Sequence, residues 1–380
     1  MTPTTVSSLP AELLLDIFDL SDIGPLAWAA VSTDWRRFAL CTPVMWTSIV
    51  LEDGRPEDSL ERCKLFAARS GHQLLSLARI GTFSADFSFV TPAYDDEAET
   101  PVLRILDMLC EQIFGRCKSY SYVSVDRGSI CASHLSRLFT SAPHLRELHL
   151  SAQHHHLPPI IVSEATRASA TEAPFFPNLV HLNLSCTCIP LLPIAGPMLE
   201  SFHLEIDCVS HEDDCQNYPD VAAGILRIIT NSRSLRDLEL SIYLDYDDID
   251  YDRAPLFDIL TPSLHNVHIA NVPIEWPDIA VLQITPRMFS CLKNLTLAGS
   301  ATQPLAPDGD CSIELFIHLF RLTPHLQSIS ILEWTLPPTK RHGRIVANGY
   351  LPELREISFQ NSLPIYESLL VGLLANMRCK

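Results

Sequence analysis

The sequence predicts an α/β fold: three short N-terminal helices followed by an irregular solenoid whose strands form a parallel sheet. Three observations predict it. One apolar phrase recurs at intervals through most of the 380 residues. Proline stands just before most copies of it. The first fifty residues carry helix-start signals and helical apolar spacing instead.

The phrase is apolar, two residues, apolar, one residue, apolar. It runs through Leu145, Leu148, Leu150, then Leu179, Leu182, Leu184, then Leu199, Phe202, Leu204, and Leu235, Leu238, Leu240. It continues through Leu264, Val267, Ile269, then Leu292, Leu295, Leu297, then Leu326, Ile329, Ile331, and Leu354, Ile357, Phe359. The lead positions are 34, 20, 36, 29, 28, 34 and 28 residues apart. A self-similar unit at such spacing is the mark of a repeat array. The last two apolar positions lie two apart and share one face of a short strand. One unit cannot cover that face alone, so neighbours stack and share a core. Weaker copies are read at Trp46, Ile49, Leu51 and at Tyr120, Val123, Val125.

Pro143, Pro177, Pro197, Pro262, Pro324 and Pro352 precede six of the copies. A residue with fixed φ and no amide donor ends the preceding segment there. Residues 134–140, 221–229, 313–322 and 366–377 have helical apolar spacing, as crossovers between parallel strands require. Residues 91–101 and 154–176 read as long loops.

From about residue 117 to 380 the chain resembles leucine-rich-repeat proteins, on the phrase just described. Gln153, Thr187, Tyr243 and Ser300 stand where such repeats usually carry Asn or Cys. The resemblance therefore implies an irregular horseshoe with uneven outer segments.

In the N-terminal segment, Pro10 suits a first helical turn and Glu12 suits its positive end. Leu13, Leu14, Ile17 and Phe18 then form an apolar face. Pro25 opens a second short helix with Leu26, Ala30 and Val31. Ser32 is placed to cap a third, which carries Trp35 and Phe38. Pro43 closes the pattern before Trp46. This segment, about 5–50, resembles an F-box, on Leu9-Pro10, the run from Glu12 to Phe18, Leu26, and the Val31, Trp35, Arg36 group. The stretch from Pro43 to Leu51 is similar to the segment seen after fungal F-boxes. The resemblance implies docking onto the Skp1 adaptor of a cullin-RING ubiquitin ligase. It assigns that contact to Leu9, Pro10, Leu13, Leu14, Ile17, Phe18, Leu20, Leu26, Val31, Trp35 and Arg36. Residues 51–116 are read as a transition with the first irregular repeats. A unit of some forty residues is too small to cover all these apolar groups, so some must meet the array or a partner.

Composition bounds the function. The chain is 47% hydrophobic and 19% charged, enough for a substantial core. Its formal charge of −18 disfavours nucleic acid and anionic membrane as partners. No secretion signal or membrane-length apolar run is read, so an intracellular protein, cytoplasmic or nuclear, is expected. The twelve cysteines include no CxxC pair and are expected to be reduced. No phosphate-loop, dinucleotide, GxSxG or HExxH motif occurs, so a non-enzymatic adaptor without cofactor or metal is expected. His154 to His156, and His211 with Glu212, Asp213, Asp214 and Cys215, read as solvated loops rather than metal sites.

Acidic blocks lie at 95–99, 212–214 and 245–252. The last, with Tyr243, Asp245, Tyr246, Asp247, Asp248, Asp250, Tyr251 and Asp252, is the candidate client-binding loop. Its carboxylates would meet a basic partner and its tyrosines would give contact area.

Overall fold

The computed structural model describes residues 9–21, 24–52, 56–81, 113–124, 142–152, 176–186, 196–207, 228–229, 231–243, 264–270, 291–298, 323–332, 353 and 355–360. The chain divides into two compact units: residues 1–128 with 133–147, and residues 129–132 with 148–380.

The first unit opens with helices α1 (Ala11–Asp19), α2 (Pro25–Val31) and α3 (Thr33–Cys41). A 3-10 turn, Pro43–Trp46, leads into strand β1 (Ser48–Glu52). Helix α4 (Pro56–Arg69) crosses to β2 (Leu75–Gly81), and β3 is Cys117–Ser124. Both strand pairs, β1 with β2 and β2 with β3, are parallel. The stretch 51–116 thus contains the helix and the second strand of a crossover that starts from β1. Gly71, at φ +60, ends α4 in the left-handed conformation that glycine tolerates best. The Arg116 guanidinium donates to the Ala67 and Gly71 carbonyl oxygens and to the Ser70 hydroxyl, so it caps the same helix end.

Register corrects one reading of the sequence. Leu77 pairs with Tyr120, and Arg79 pairs with Tyr122. Cys117, Tyr120 and Tyr122 are all buried, whereas Val123 lies on the other face of β3. The phrase here is therefore Cys117, Tyr120, Tyr122, three residues earlier than Tyr120, Val123, Val125. An odd slip along a strand turns every side chain to the opposite face. In β2 the register shifts between Leu75 and Ser76, so Leu75 sits opposite Cys117 while Ser76 sits opposite Ser119. That bulge shortens the unit to Leu75, Leu77, which the spacing rule does not detect.

The second unit carries β4 (Glu147–Ala152) from Leu148 onward, and β5 (His181–Cys186), β6 (Ser201–Asp207), β7 (Asp237–Tyr243), β8 (Asn266–Ala270), β9 (Asn294–Ala298), β10 (Ser328–Leu332) and β11 (Glu356–Gln360). They lie side by side in sequence order. From β5 to β11 each neighbouring pair is parallel. Register aligns the phrase from repeat to repeat: Leu182 faces Phe202, Phe202 faces Leu238, Leu238 faces Val267, and Val267 faces Leu295. Lead leucines Leu145, Leu179, Leu199, Leu235, Leu264, Leu292 and Leu326 have no exposed surface. The array is leucine-rich-repeat-like on this order and register.

Proline acts in a specific way. Leu145, Leu179, Leu199 and Leu326 each donate their amide N–H to the carbonyl oxygen three residues back, on Ala142, Phe176, Gly196 and Thr323. Each closes a four-residue turn with proline at its second position, where the fixed φ is already right. Leu235 closes the same turn onto Ser232 without proline. The turn drives the lead leucine inward and starts the strand.

The expected crossover helices at 134–140, 313–322 and 366–377 lie outside the described residues. Of 221–229, Ile228 and Ile229 are described; both are helical and buried.

Candidate docking surfaces

The three N-terminal helices are held by an aromatic cluster. The ring of Phe18 meets Trp28 edge-on at 5.7 Å, and Trp28 lies 4.0 Å from Trp35, ring centre to centre. Arg36 Nε donates to the Ala29 carbonyl oxygen at 2.9 Å, tying α3 to α2. Ser32 caps α3 as its position implies, its hydroxyl accepting from the Trp35 amide at 3.2 Å. Pro25 sits in the first turn of α2.

Around that cluster, apolar surface is left uncovered. No residue of α1 is buried. Leu13 is 47% exposed, Ile17 41%, Leu20 88%, Leu26 49% and Val31 68%. Pro10 and Arg36 are exposed as well, and Leu9, Leu14, Phe18 and Trp35 are half-buried. The inward residues of α2 are Pro25 and Trp28, not Leu26 and Val31. Trp28, only 5% exposed, was absent from the sequence-derived set. Its aromatic partners on both flanking helices were the available signal. Phe18 and Trp35 are therefore part of the helices' own core, while Leu13, Ile17, Leu20, Leu26 and Val31 face outward.

The second surface is the polar face of the sheet in the second unit. Strand alternation buries the phrase and turns its intervening residues outward. Three adjacent outward positions form a ladder: Asn266 Nδ2 donates to Asp237 Oδ1, and Asn294 Nδ2 donates to Asn266 Oδ1 at 2.6 Å. One row over, His203 Nδ1 lies 2.8 Å from Glu239 Oε2. The Ser185 hydroxyl donates to Glu205 Oε2 at 3.0 Å. His149 is held below the ordinary imidazole value, first by burial and then by the charge of His203, opposed by the nearby Asn183 amide.

Tyr243 ends β7 on its backbone. Asp245, Tyr246, Asp247, Asp248, Asp250, Tyr251 and Asp252 lie outside the described residues. So do His154 to His156, the group from His211 to Cys215, and the acidic block at 95–99. Among the described residues, no group of three or more His, Cys, Asp or Glu is placed to hold a metal ion. No described helix is long and apolar enough to cross a membrane.

No known family model matches the chain. No curated protein matches it either. Among solved structures it is similar to the leucine-rich-repeat-containing protein LegL7 of Legionella pneumophila, at a TM-score of 0.38 and 11% identity, over 86% of this chain and 97% of that one.

Proposed function

We propose that this chain is the substrate-recognition subunit of an SCF-type ubiquitin ligase. In this reading α1 to α3 grip a Skp1-like adaptor, and the repeat array holds a client protein. The chain performs no bond chemistry; it raises the client's local concentration near the ubiquitin-carrying enzyme. The supporting observation is the set of five outward aliphatic side chains, Leu13, Ile17, Leu20, Leu26 and Val31, on helices whose own core is already closed by Phe18, Trp28 and Trp35. Exposed apolar groups concentrated on one small helical unit mark a partner site. The acidic block at 245–252 is part of the proposal as a contact for a basic client. Charge reversal of Asp245, Asp247 and Asp248 would remove that contact.

Co-purification with Skp1 tests the adaptor arm. Leu13→Ser with Ile17→Ser should abolish the complex while leaving the array's circular dichroism and melting unchanged. Wild-type protein that never retains Skp1 defeats the ligase reading.

The alternative is an interaction scaffold unrelated to ubiquitin, with the helices as a cap on the first repeat. One contact favours it: Ala39 of α3 is fully buried and its carbonyl oxygen accepts from Trp46 at the entry to β1. Under that reading the Leu13, Ile17 double variant alters melting and no Skp1 complex forms.

A further inference from the structure

We propose that α1 is a detachable strap: it opens by itself from α2 and α3 while those two stay joined, and docking on its outer side is coupled to its closure. The opening is a property of this chain alone; the identity of the docking partner rests on the adaptor reading above.

Bonding sets α1 apart from its neighbours. α2 and α3 are joined by the hydrogen bond from Arg36 to the Ala29 carbonyl oxygen. α3 is joined to the entry of β1 by the bond from Trp46 to Ala39. Among the described residues, no hydrogen bond or ion pair links α1 to another element. Its backbone bonds stay within the helix and its flanks: Leu14 donates to Pro10, Leu20 to Asp16 and Ser21 to Phe18. α2 buries Pro25 and Trp28, and α3 buries Ala39, whereas α1 buries no residue. Its hold is the half-buried Leu14, Leu15 and Phe18, with the Phe18 ring edge-on to Trp28.

Local sequence does not make up the difference. A helix of nine residues is too short to persist alone in water. Pro10 stands before the first turn, and no side chain caps that end, whereas α3 has its Ser32 cap. Glu12 suits the positive end of the helix. Asp16 and Asp19, however, set two carboxylates in the last turn, at the negative end, and no basic residue there offsets them. Such a helix opens by local unfolding at lower cost than the elements around it.

The closed form also carries an unsatisfied group. The Trp28 indole N–H is shut off from water and has no hydrogen-bond acceptor. A buried donor without a partner raises the free energy of the arrangement that buries it, and opening lets water reach it. Closure gains from the other side of α1. Leu13, Ile17 and Leu20, spaced i, i+4 and i+7, stay exposed on the seated helix. A partner that covers this row binds the helical form and not the unfolded one, so it shifts the population toward closure.

The test is hydrogen exchange of the full chain, read by mass spectrometry. Peptides of α1 are expected to exchange at least about tenfold faster than those of α2 and α3. Asp16→Lys with Asp19→Lys keeps every apolar residue of α1 and reverses the charge of its last turn. That variant should slow α1 exchange by about threefold to tenfold and leave α2 and α3 unchanged. An α1 as protected as α2 and α3 overturns the proposal. So does a double-lysine variant in which α1 exchanges like the parent, or in which all three helices slow together. Added Skp1 should protect α1 further, and Skp1 bound with α1 exchange unchanged overturns the coupling. Skp1 that never binds defeats the ligase reading, and the exchange rates of the chain alone still decide whether α1 opens.

Discussion

The indole Nε1–H of Trp46 donates to the carbonyl oxygen of Ala39 at 2.7 Å, and both residues are buried. The same indole meets Phe66 of α4 edge-on at 5.1 Å. Trp46 is thus the lead residue of the first strand unit and the link from α3 to the first unit's core.

Removing the donor, with the smaller ring that carries it, tests that link. Trp46→Phe keeps a ring against Phe66 and costs about 1–3 kcal/mol, the range for a lost buried hydrogen bond. Trp46→Ala also opens a cavity and costs about 3–5 kcal/mol. Urea unfolding monitored by far-ultraviolet circular dichroism measures both. A phenylalanine variant as stable as the parent would show that the hydrogen bond contributes nothing.

The register of β3 gives a paired test. Tyr122 is inward and Val123 is on the opposite face. Tyr122→Ala should cost about 3–5 kcal/mol by analogy with other large-to-small core changes. Val123→Thr should cost less than about 1 kcal/mol. The opposite ranking would restore the frame Tyr120, Val123, Val125.

Cysteine reactivity tracks burial. The Cys63 and Cys117 thiols are both pushed up to about 12, chiefly by burial. At pH 8 that leaves a thiolate fraction on the order of one in ten thousand. Cys41, in contrast, is exposed. Iodoacetamide at pH 8 with peptide mapping should label Cys41 in the native protein, and Cys63 and Cys117 only after urea. Native labelling of all three at one rate would contradict the packing.

His149 links stability to pH. Its folded pKa lies below the ordinary 6.5, so as pH falls through that value the unfolded chain takes up a proton first. Stability therefore declines below about pH 6.5 and levels off once the folded imidazole is protonated too. His149→Gln should flatten the decline below about pH 6.5 in urea midpoints. A variant with the parent's slope would remove His149 as its source.

The repeat phrase was legible because leucine, isoleucine and valine sit at a spacing few other structures require. The same rule failed where the chemistry of the core changed. In β3 the inward positions are cysteine and tyrosine, and in β2 a bulge removes one residue from the spacing. Proline before the phrase was visible, but its place in a closed turn with the lead leucine emerged only from the amide partners. On the N-terminal helices, periodicity marked apolar residues without saying which were already used. Trp28 takes the inward place and leaves Leu26 and Val31 outside.

Linear order was enough to specify an α/β chain of helices followed by stacked parallel strands, because strand alternation and repeat spacing are properties of neighbouring residues. Packing alone decided which apolar side chains are core and which remain outward, since that depends on residues distant in sequence competing for one interior. It also assembled the polar face: Glu205, Asp237 and Glu239 become neighbours only when β6 and β7 pair in register. Register is set by the shared burial of Phe202 with Leu238 and Leu204 with Leu240, and the placement of the outward charges is its consequence.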